Sequence, residues 1–310
     1  MSLYPPPETR RCDVYTRIPE HLKRYDASSE WIAANKPGQS VPSFLEGPLF
    51  DGDGNLFVTD IPHGRIFRID EQGGWEIIAD YDGWPNGMRF GPDGLLWIAD
   101  YRHGLMTLDP AGGEPQPLLT HVGSERFKGI NDLFFDHRGR LYFTDQGQTG
   151  LQDPSGRVYR YDPDTRRLDR LIDNGISPNG LVTDLEEKAL FVAMTRGNGV
   201  WRIPLKDDGP AGKVGLFVPL AGGVSGADGL ALDEAGNLFV CDAGNGCVWV
   251  FDRYGQPLWR LLSQTEGRTL TNLTFGGPDR KTLYMTESAT GTILTIDMEV
   301  PGRAPTYLSC

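Results

Sequence analysis

The feature that most constrains the fold of this chain is an internal repeat with a period of about 45 residues. Six segments share a turn rich in Gly and Asp followed by an apolar run, with a leucine at the start of that run. These reference leucines are Leu56, Leu96, Leu141, Leu190, Leu238 and Leu283. Such a period is typical of architectures in which each repeat is one small unit that packs against its neighbours.

Each repeat holds four short runs with the period-two alternation of half-buried antiparallel strands. In the first repeat, "DGDGNLFVTD" at 51 is followed by "GRIFRID" at 64 and "WEIIADY" at 75. Repetition around an axis leaves only short edge strands, whereas a linear solenoid needs polar end caps that we do not find here. The sequence therefore predicts an all-β fold, a six-bladed β-propeller that spans residues 41–310.

Residues 1–40 lack the repeat and are expected to form an N-terminal extension. Within it, residues 19–40 predict a short helix and an irregular crossing before the first blade. The outer strand of the sixth blade has two candidates in the sequence. One is "DVYTRI" at 13–18, which would join the two ends of the ring, and the other is "PTYLS" at 305–309.

Charge and composition exclude several classes of function. The net charge of −12 and the pI of 4.9 argue against a nucleic-acid partner, because phosphate binding needs a basic surface. The sequence contains no stretch of 18 apolar residues that would indicate a membrane span, and the N-terminal residues lack the apolar core of a signal peptide. We therefore expect a cytoplasmic protein. The 4 cysteines and 5 histidines have no zinc-like spacing.

The tripeptide Pro-Asn-Gly occurs twice, at 85–87 and 178–180, each time before an apolar run. Counting back 10 or 11 residues from each reference leucine gives an equivalent residue at the start of every inner strand. These residues are Glu46, Asn86, Asn131, Asn179, Asp228 and Asn272. Four of them precede a glycine, which suits strands that crowd toward an axis. The tripeptide therefore marks the start of a blade.

All six of these side chains carry an oxygen, and in a propeller they would point into one end of the central channel. A purely structural explanation is that they cap strands and bond to backbone donors. However, all six positions hold a side chain with an oxygen atom, and two of them are carboxylates. This favours a binding site for a hard divalent cation over the structural explanation. We therefore expect a metal in the channel, with calcium as the first choice and zinc, manganese or magnesium as alternatives.

A second repeated position ends the second strand of each repeat and is acidic in five of six cases. An Asp at such a place commonly bonds to its own turn. The expected exceptions are Asp100 and Asp145, which we predict to contact substrate. Asp145 also precedes a long loop, "QGQTGLQDPSGR", that could cover the mouth of the channel.

At these residues the chain resembles the family of SMP-30, gluconolactonase and luciferin-regenerating enzyme, and the related diisopropyl fluorophosphatase. The resemblance rests on "EGP" at 46, "ND" at 131, "PNG" at 178 and "DGLALD" at 228, and it spans residues 44–298. It implies a six-bladed propeller with a divalent metal bound by Glu46, Asn179 and Asp228. It also implies that Asn131 is either a fourth ligand or a substrate contact.

The resemblance implies a hydrolase that opens a small lactone. In the sugar-lactone branch an arginine stands two residues before the third-blade asparagine, where this chain has Gly129 beside Lys128. Specificity for a sugar is therefore not implied. Lys128, Asn86 and Asn272 are the remaining candidates for substrate binding.

In such a reaction, Asp228 is expected to act as a general base for water or as a nucleophile. Two other functions remain open at this point: a phosphotriesterase that uses the same metal site, and a non-catalytic binding propeller.

Overall fold

The computed structural model of the chain describes residues 7–25, 29–220, 223–224 and 226–308, and its sheets form six blades. From the axis outward, blade one consists of Leu45–Phe50, Leu56–Asp60, Arg65–Ile69 and Trp75–Asp80. Blade two consists of Pro85–Phe90, Leu96–Asp100, Gly104–Leu108 and Gln116–Leu119. Blade three consists of Ile130–Phe135, Leu141–Asp145, Gly156–Asp162 and Arg167–Gly175.

The other three blades repeat the same antiparallel order. Blade four consists of Pro178–Thr183, Ala189–Met194, Gly199–Pro204 and Gly215–Pro219. Blade five consists of Gly226–Leu232, Leu238–Ala243, Cys247–Phe251 and Pro257–Leu262. Blade six consists of Leu270–Gly276, Thr282–Glu287, Thr292–Asp297 and Asp13–Arg17. The inner strand of each blade contacts those of both neighbours, blade six against blade one, so the ring is closed.

The ring is closed by the N-terminal part of the chain. Asp13–Arg17 pairs antiparallel with Thr292–Asp297, so the first of the two candidates for the outer strand of blade six is the one observed. Residues 305–308 form no strand, and residue 309 lies outside the described residues. One strand that the sequence analysis missed, Glu8–Arg11, adds to the outer edge of blade five in parallel orientation.

The remaining elements are short. A short hairpin pairs the two-residue strand His121–Val122 with the two-residue strand Glu125–Arg126. The α-helix Glu30–Asn35 lies in the N-terminal crossing, and 3₁₀ turns occur at Glu20–Leu22, Ile61–His63 and Thr195–Gly197. None of the helices in the described part of the chain is long and apolar enough to cross a membrane.

Crowding at the axis explains the glycines that follow the first residues of the inner strands. A Cβ on Gly47 would lie 2.3 Å from the carbonyl oxygen of Asn86 in the next blade, and Gly47 has a φ of +54°. A Cβ on Gly180 would lie 2.5 Å from the carbonyl oxygen of Asp228. Because these neighbours are backbone atoms, a larger residue would push two inner strands apart.

Apolar side chains between neighbouring blades form the core. One cluster joins Val182 and Phe191 of blade four to Leu230 and Val240 of blade five, and equivalent clusters lie between other blades. The alternation along each strand places these residues on the faces that pack against the next blade. Rigid packing of this kind fixes where the first residue of each inner strand lies relative to the axis.

Candidate functional site

Five of the six repeated residues at the blade starts line the floor of a single cavity of about 530 Å³ at one end of the channel. They are Glu46, Asn86, Asn131, Asn179 and Asp228, and all five are buried. Each lies four residues before the inner-strand residue that pairs with the reference leucine of its blade. Equal position in the blade therefore brings together side chains that are far apart in sequence.

The sixth residue, Asn272, does not line this cavity, in contrast to the expectation. In blade six Phe275 pairs with the reference leucine, so the residue four positions earlier is Thr271. The hydroxyl of Thr271 donates to the backbone oxygen of Leu45. Asn272 lies one layer deeper, where its Nδ2 donates to Oε2 of Glu46 at 2.8 Å. The turn of blade six is longer than in the other blades, so counting 11 residues back gave a residue one position too late.

Four oxygen atoms at this floor have no hydrogen-bond partner among the residues that the structure describes: Oδ1 of Asn86, Asn131, Asn179 and Asp228. The amide nitrogen of Asn131 donates to Oε1 of Gln146 at 3.1 Å, and that of Asn179 donates to the hydroxyl of Thr195 at 3.2 Å. Those bonds leave the amide oxygens as the unsatisfied atoms. Since buried polar atoms are nearly always paired, oxygens that lack a partner at one cavity indicate a site for a cation.

Three buried carboxyl groups lie together beneath the cavity. Burial, together with repulsion from Asp132, raises the pKa of Glu46 to about 8. Burial, followed by repulsion from Glu46 and Asp132, raises the pKa of Asp228 well above its usual value. Burial also raises the pKa of Asp132, while Arg89 lowers it. Negative charges that oppose one another in a buried site would be stabilised by a divalent cation, so this set of donors fits one.

Asp132 is a residue that the sequence analysis missed. It directly follows Asn131 and stands where the neighbouring blades have Gly87 and Gly180, and it is 1% exposed. A Cβ on Gly87 would lie 2.1 Å from Oδ1 of Asp132, so that glycine leaves the space for the carboxyl group. The signal in the sequence was the acidic residue at a position that is glycine in four of the other repeats.

Asp100 and Asp145, which were expected to contact substrate, do not line the cavity. Asp100 accepts hydrogen bonds from the backbone N–H groups of Trp84, Arg102 and His103 and from the Tyr81 hydroxyl. Asp145 accepts from the backbone N–H of Gly129. Both carboxylates therefore fix the backbone that leads into an inner strand. The structure supports the turn-bonding explanation for this repeated position.

The residue that follows each of these positions lines the cavity in five blades, and in blade four Thr195 at the position itself lines it as well. The residues that follow are Ile61, Tyr101, Gln146, Arg196 and Ala243. Neighbouring side chains at the end of a strand point in different directions. When one of them bonds to the backbone of a turn, the next one is therefore directed over the channel. Their identities differ between blades, so no repeated residue type marked them in the sequence.

Lys128 also lies away from the cavity lining, and its ammonium group donates to the hydroxyl of Ser155. The adjacent Gly129 has a φ of +151°, and a Cβ there would lie 2.6 Å from the ring of Tyr101. The ring of Tyr101 thus occupies the space that a side chain at position 129 would take. An aromatic ring held by blade two therefore forms part of the cavity wall.

The roof of the cavity combines the N-terminal crossing with the long loop of blade three. Trp31, Asn35 and Lys36 line the cavity from the crossing, and residues 146–149, 151 and 152 line it from the loop. The amide of Gln148 joins the two segments, donating to Oδ1 of Asn35 at 3.3 Å and to the hydroxyl of Tyr101 at 2.8 Å. The loop therefore covers the mouth, as the sequence predicted, but the contribution of the crossing was not expected.

Comparison with known proteins agrees with this geometry. The family described as SMP-30/Gluconolactonase/LRE-like region matches residues 44–289. Lactonase drp35 of Staphylococcus aureus is 32% identical over 253 residues, 77% of this chain and 75% of that protein. Regucalcin of Agrobacterium tumefaciens, described as a calcium-binding protein, superimposes with a TM-score of 0.75 at 20% identity, over 98% of this chain and 99% of that chain. A gluconolactonase of Xanthomonas campestris superimposes with a TM-score of 0.71 at 22% identity, over 89% of this chain and 94% of that chain. The two structural similarities show a common fold.

Proposed function

The chain belongs to the SMP-30/gluconolactonase/LRE-like family, and from that membership we propose that it is a metal-dependent hydrolase that opens a small lactone. The observation that carries the proposal is the set of four oxygens at the cavity floor that lack a hydrogen-bond partner in the described part of the chain. The staphylococcal relative is named a lactonase, and a lactonase hydrolyses an ester bond. The cavity of about 530 Å³ is within the range for a small ligand.

The proposed ligands of the cation are Glu46, Asn131, Asn179 and Asp228. Carboxylate and amide oxygens are the donors that hard cations prefer, whereas zinc favours nitrogen and sulfur donors. Calcium accepts a flexible arrangement of such oxygens, and magnesium demands a stricter octahedral one. We therefore infer calcium as the ion. The amide nitrogens of Asn131 and Asn179 are held by Gln146 and Thr195, which orients their oxygens as ligands.

A divalent cation bound at this floor would polarise the carbonyl group of the lactone and lower the pKa of a nearby water molecule. The Asp228 carboxylate accepts the proton of the attacking water and returns it to the ring oxygen as the ring C–O bond breaks. Alternatively, it attacks the carbonyl carbon itself, the ring C–O bond breaks, the ring oxygen takes a proton from water, and hydrolysis of the resulting anhydride releases the acid. No described residue bonds to its Oδ1, so a lone pair is available for either role. Asn86 lies on the same floor and is assigned to contact the substrate.

The experiment that tests the proposal is a hydrolysis screen on protein stripped of metal with a chelator. Aliphatic, aromatic and sugar lactones and one phosphotriester are assayed with a pH indicator, before and after addition of calcium, zinc, manganese or magnesium. We expect lactone hydrolysis that chelation abolishes and calcium restores. Turnover of the phosphotriester alone would replace the substrate class. No turnover of any compound, together with no calorimetric binding of any cation, would refute a metal-dependent hydrolase.

A further inference from the structure

Two positively charged side chains line the same cavity that holds the acidic floor. Lys36 reaches it from the N-terminal crossing, and Arg196 reaches it from the turn after the second strand of blade four. Neither belongs to an ion pair with a carboxylate among the residues that the structure describes. These two cations are not part of the proposed metal site or of the proposed chemistry.

Lys36 is held in place by its surroundings. Its backbone N–H donates to the carbonyl of Ile32 at 2.8 Å and so closes the helix Glu30–Asn35. Trp31 and Ile32 of this helix pack in an apolar cluster with Ile61 of blade one. The ammonium group lies 5.4 Å from the centre of the Phe44 ring. The helix and its apolar contacts thus fix the backbone that presents Lys36 to the cavity, and the Phe44 ring contacts its ammonium group.

The charges of the two residues affect one another. Burial lowers the pKa of Lys36, the Asp228 carboxylate raises it, and the Arg196 guanidinium lowers it. The acids of the floor would be compensated by the proposed cation, and the two cations at the mouth would then face a cavity without a negative partner. Like charges in a partly buried cavity are stabilised when a ligand brings an anion between them.

We propose that the substrate carries an anionic group in addition to its lactone ring, and that Lys36 and Arg196 bind this group at the mouth of the cavity. This inference rests on the proposed lactone hydrolysis and names its substrate class. The group is a carboxylate or a phosphate, since both accept charge-assisted hydrogen bonds from ammonium and guanidinium groups. The ester bond would then lie toward the floor and the anion toward the mouth.

The test compares three lactones that differ only in the charged group. They are a neutral aldonolactone, the aldarolactone with a carboxylate at the terminal carbon, and the aldonolactone with a terminal phosphate. The wild-type protein is expected to hydrolyse at least one anionic compound with a kcat/KM about 10-fold or more above that of the neutral one. Whether the carboxylate or the phosphate is preferred identifies the group.

The variants are Lys36→Gln, Arg196→Gln and the double variant, with Lys36→Arg to restore charge. Each single change should lower kcat/KM for the anionic substrate by about 10-fold to 100-fold, as expected for loss of a hydrogen bond to a charged group. The loss should appear in KM, and the neutral lactone should change by less than about 3-fold. The matched control is Arg253→Gln, which removes an exposed arginine that does not line the cavity. It should change kcat/KM for neither the anionic nor the neutral lactone.

Binding of the intact lactones, measured by calorimetry on the calcium-loaded protein, separates the two proposals. Hydrolysis of the neutral lactone without preference for an anion, or equal losses on neutral and anionic lactones in Lys36→Gln, overturns this inference and leaves lactone hydrolysis intact. No hydrolysis of any lactone overturns the proposed function. In that case, tighter binding of the intact anionic lactones than of the neutral one, weakened in Lys36→Gln and Arg196→Gln, would retain the anion site, and the absence of such binding would overturn both proposals. Thermal melts confirm that each variant is folded.

Discussion

Replacing Asp228 with Asn tests the role of that carboxylate, because the change keeps the shape and one oxygen while it removes the charge. Asp228 is 8% exposed, and none of the described residues hydrogen-bonds to its Oδ1. If it acts as a base or a nucleophile, activity should fall by about 10² to 10⁴-fold even when the site is saturated with calcium, the usual range for a general base. That loss corresponds to about 3 to 5 kcal/mol of activation free energy.

The same variant should have opposite effects on stability with and without metal. In the metal-free protein the buried carboxylate faces Glu46 and Asp132, and folding raises its pKa. At a pH above this folded pKa, each unit of the rise lowers the free energy of unfolding by about 1.4 kcal/mol. Metal-free Asp228→Asn should therefore melt at a higher temperature than the metal-free wild type at alkaline pH. With calcium bound, the wild type should melt higher, because the Asp228 carboxylate stabilises the ion.

The assay combines thermal melts with and without chelator, calorimetric binding of calcium, and lactone hydrolysis under calcium saturation. The matched control is Asp242→Asn, which changes another buried acid of the same blade that accepts from the indole N–H of Trp249 and does not line the cavity. It should bind calcium and hydrolyse the lactone as the wild type does. Full activity in calcium-saturated Asp228→Asn would refute both catalytic roles of Asp228. In a single turnover in ¹⁸O-water, label in the enzyme carboxylate indicates direct attack, because an activated water would place label only in the product.

Three further predictions concern the crowded axis and the charged floor. Gly47→Ala should lower the free energy of unfolding by about 2 to 4 kcal/mol in urea denaturation, since it adds strain at positive φ and a clash with the backbone of Asn86. The control Gly94→Ala, at positive φ in open space, should lower it by about 1 to 2 kcal/mol. Equal losses would contradict the role of crowding. Folding raises the pKa of Glu46 to about 8, so the folded metal-free protein holds a proton that the unfolded chain releases above about pH 4.3. Its stability should thus fall as the pH rises from about 5 to about 8, and a fall that persists unchanged with calcium bound would contradict the charged floor. Calcium at about 100 times its Kd should stabilise the protein by about 2.7 kcal/mol in chemical denaturation, and no difference from chelated protein would exclude the site.

Five of the six floor positions could be found from the sequence because the repeat preserves their place in each blade. The sixth could not, because the turn of blade six is longer and Thr271, not Asn272, stands at the equivalent position. A count along the chain includes the residues of the turn and so changes with the length of the turn. The position of a residue near the axis depends instead on how its strand pairs with the next one. Asp132 was missed for a related reason: it belongs to the layer below, which becomes visible only when the inner strands are packed side by side.

The sequence by itself determined the number of blades, the equivalent starting position in five of the six inner strands and the oxygen-rich chemistry of the channel, since these depend on a short-range pattern that recurs from repeat to repeat. The tertiary structure decided the rest. Only the closed ring shows that Asp100 and Asp145 hold turns while Tyr101 and Gln146, one residue later, line the cavity. Only the path of the N-terminal crossing brings Lys36 to the mouth, because that contact joins residues with no shared repeat position and no periodic signal.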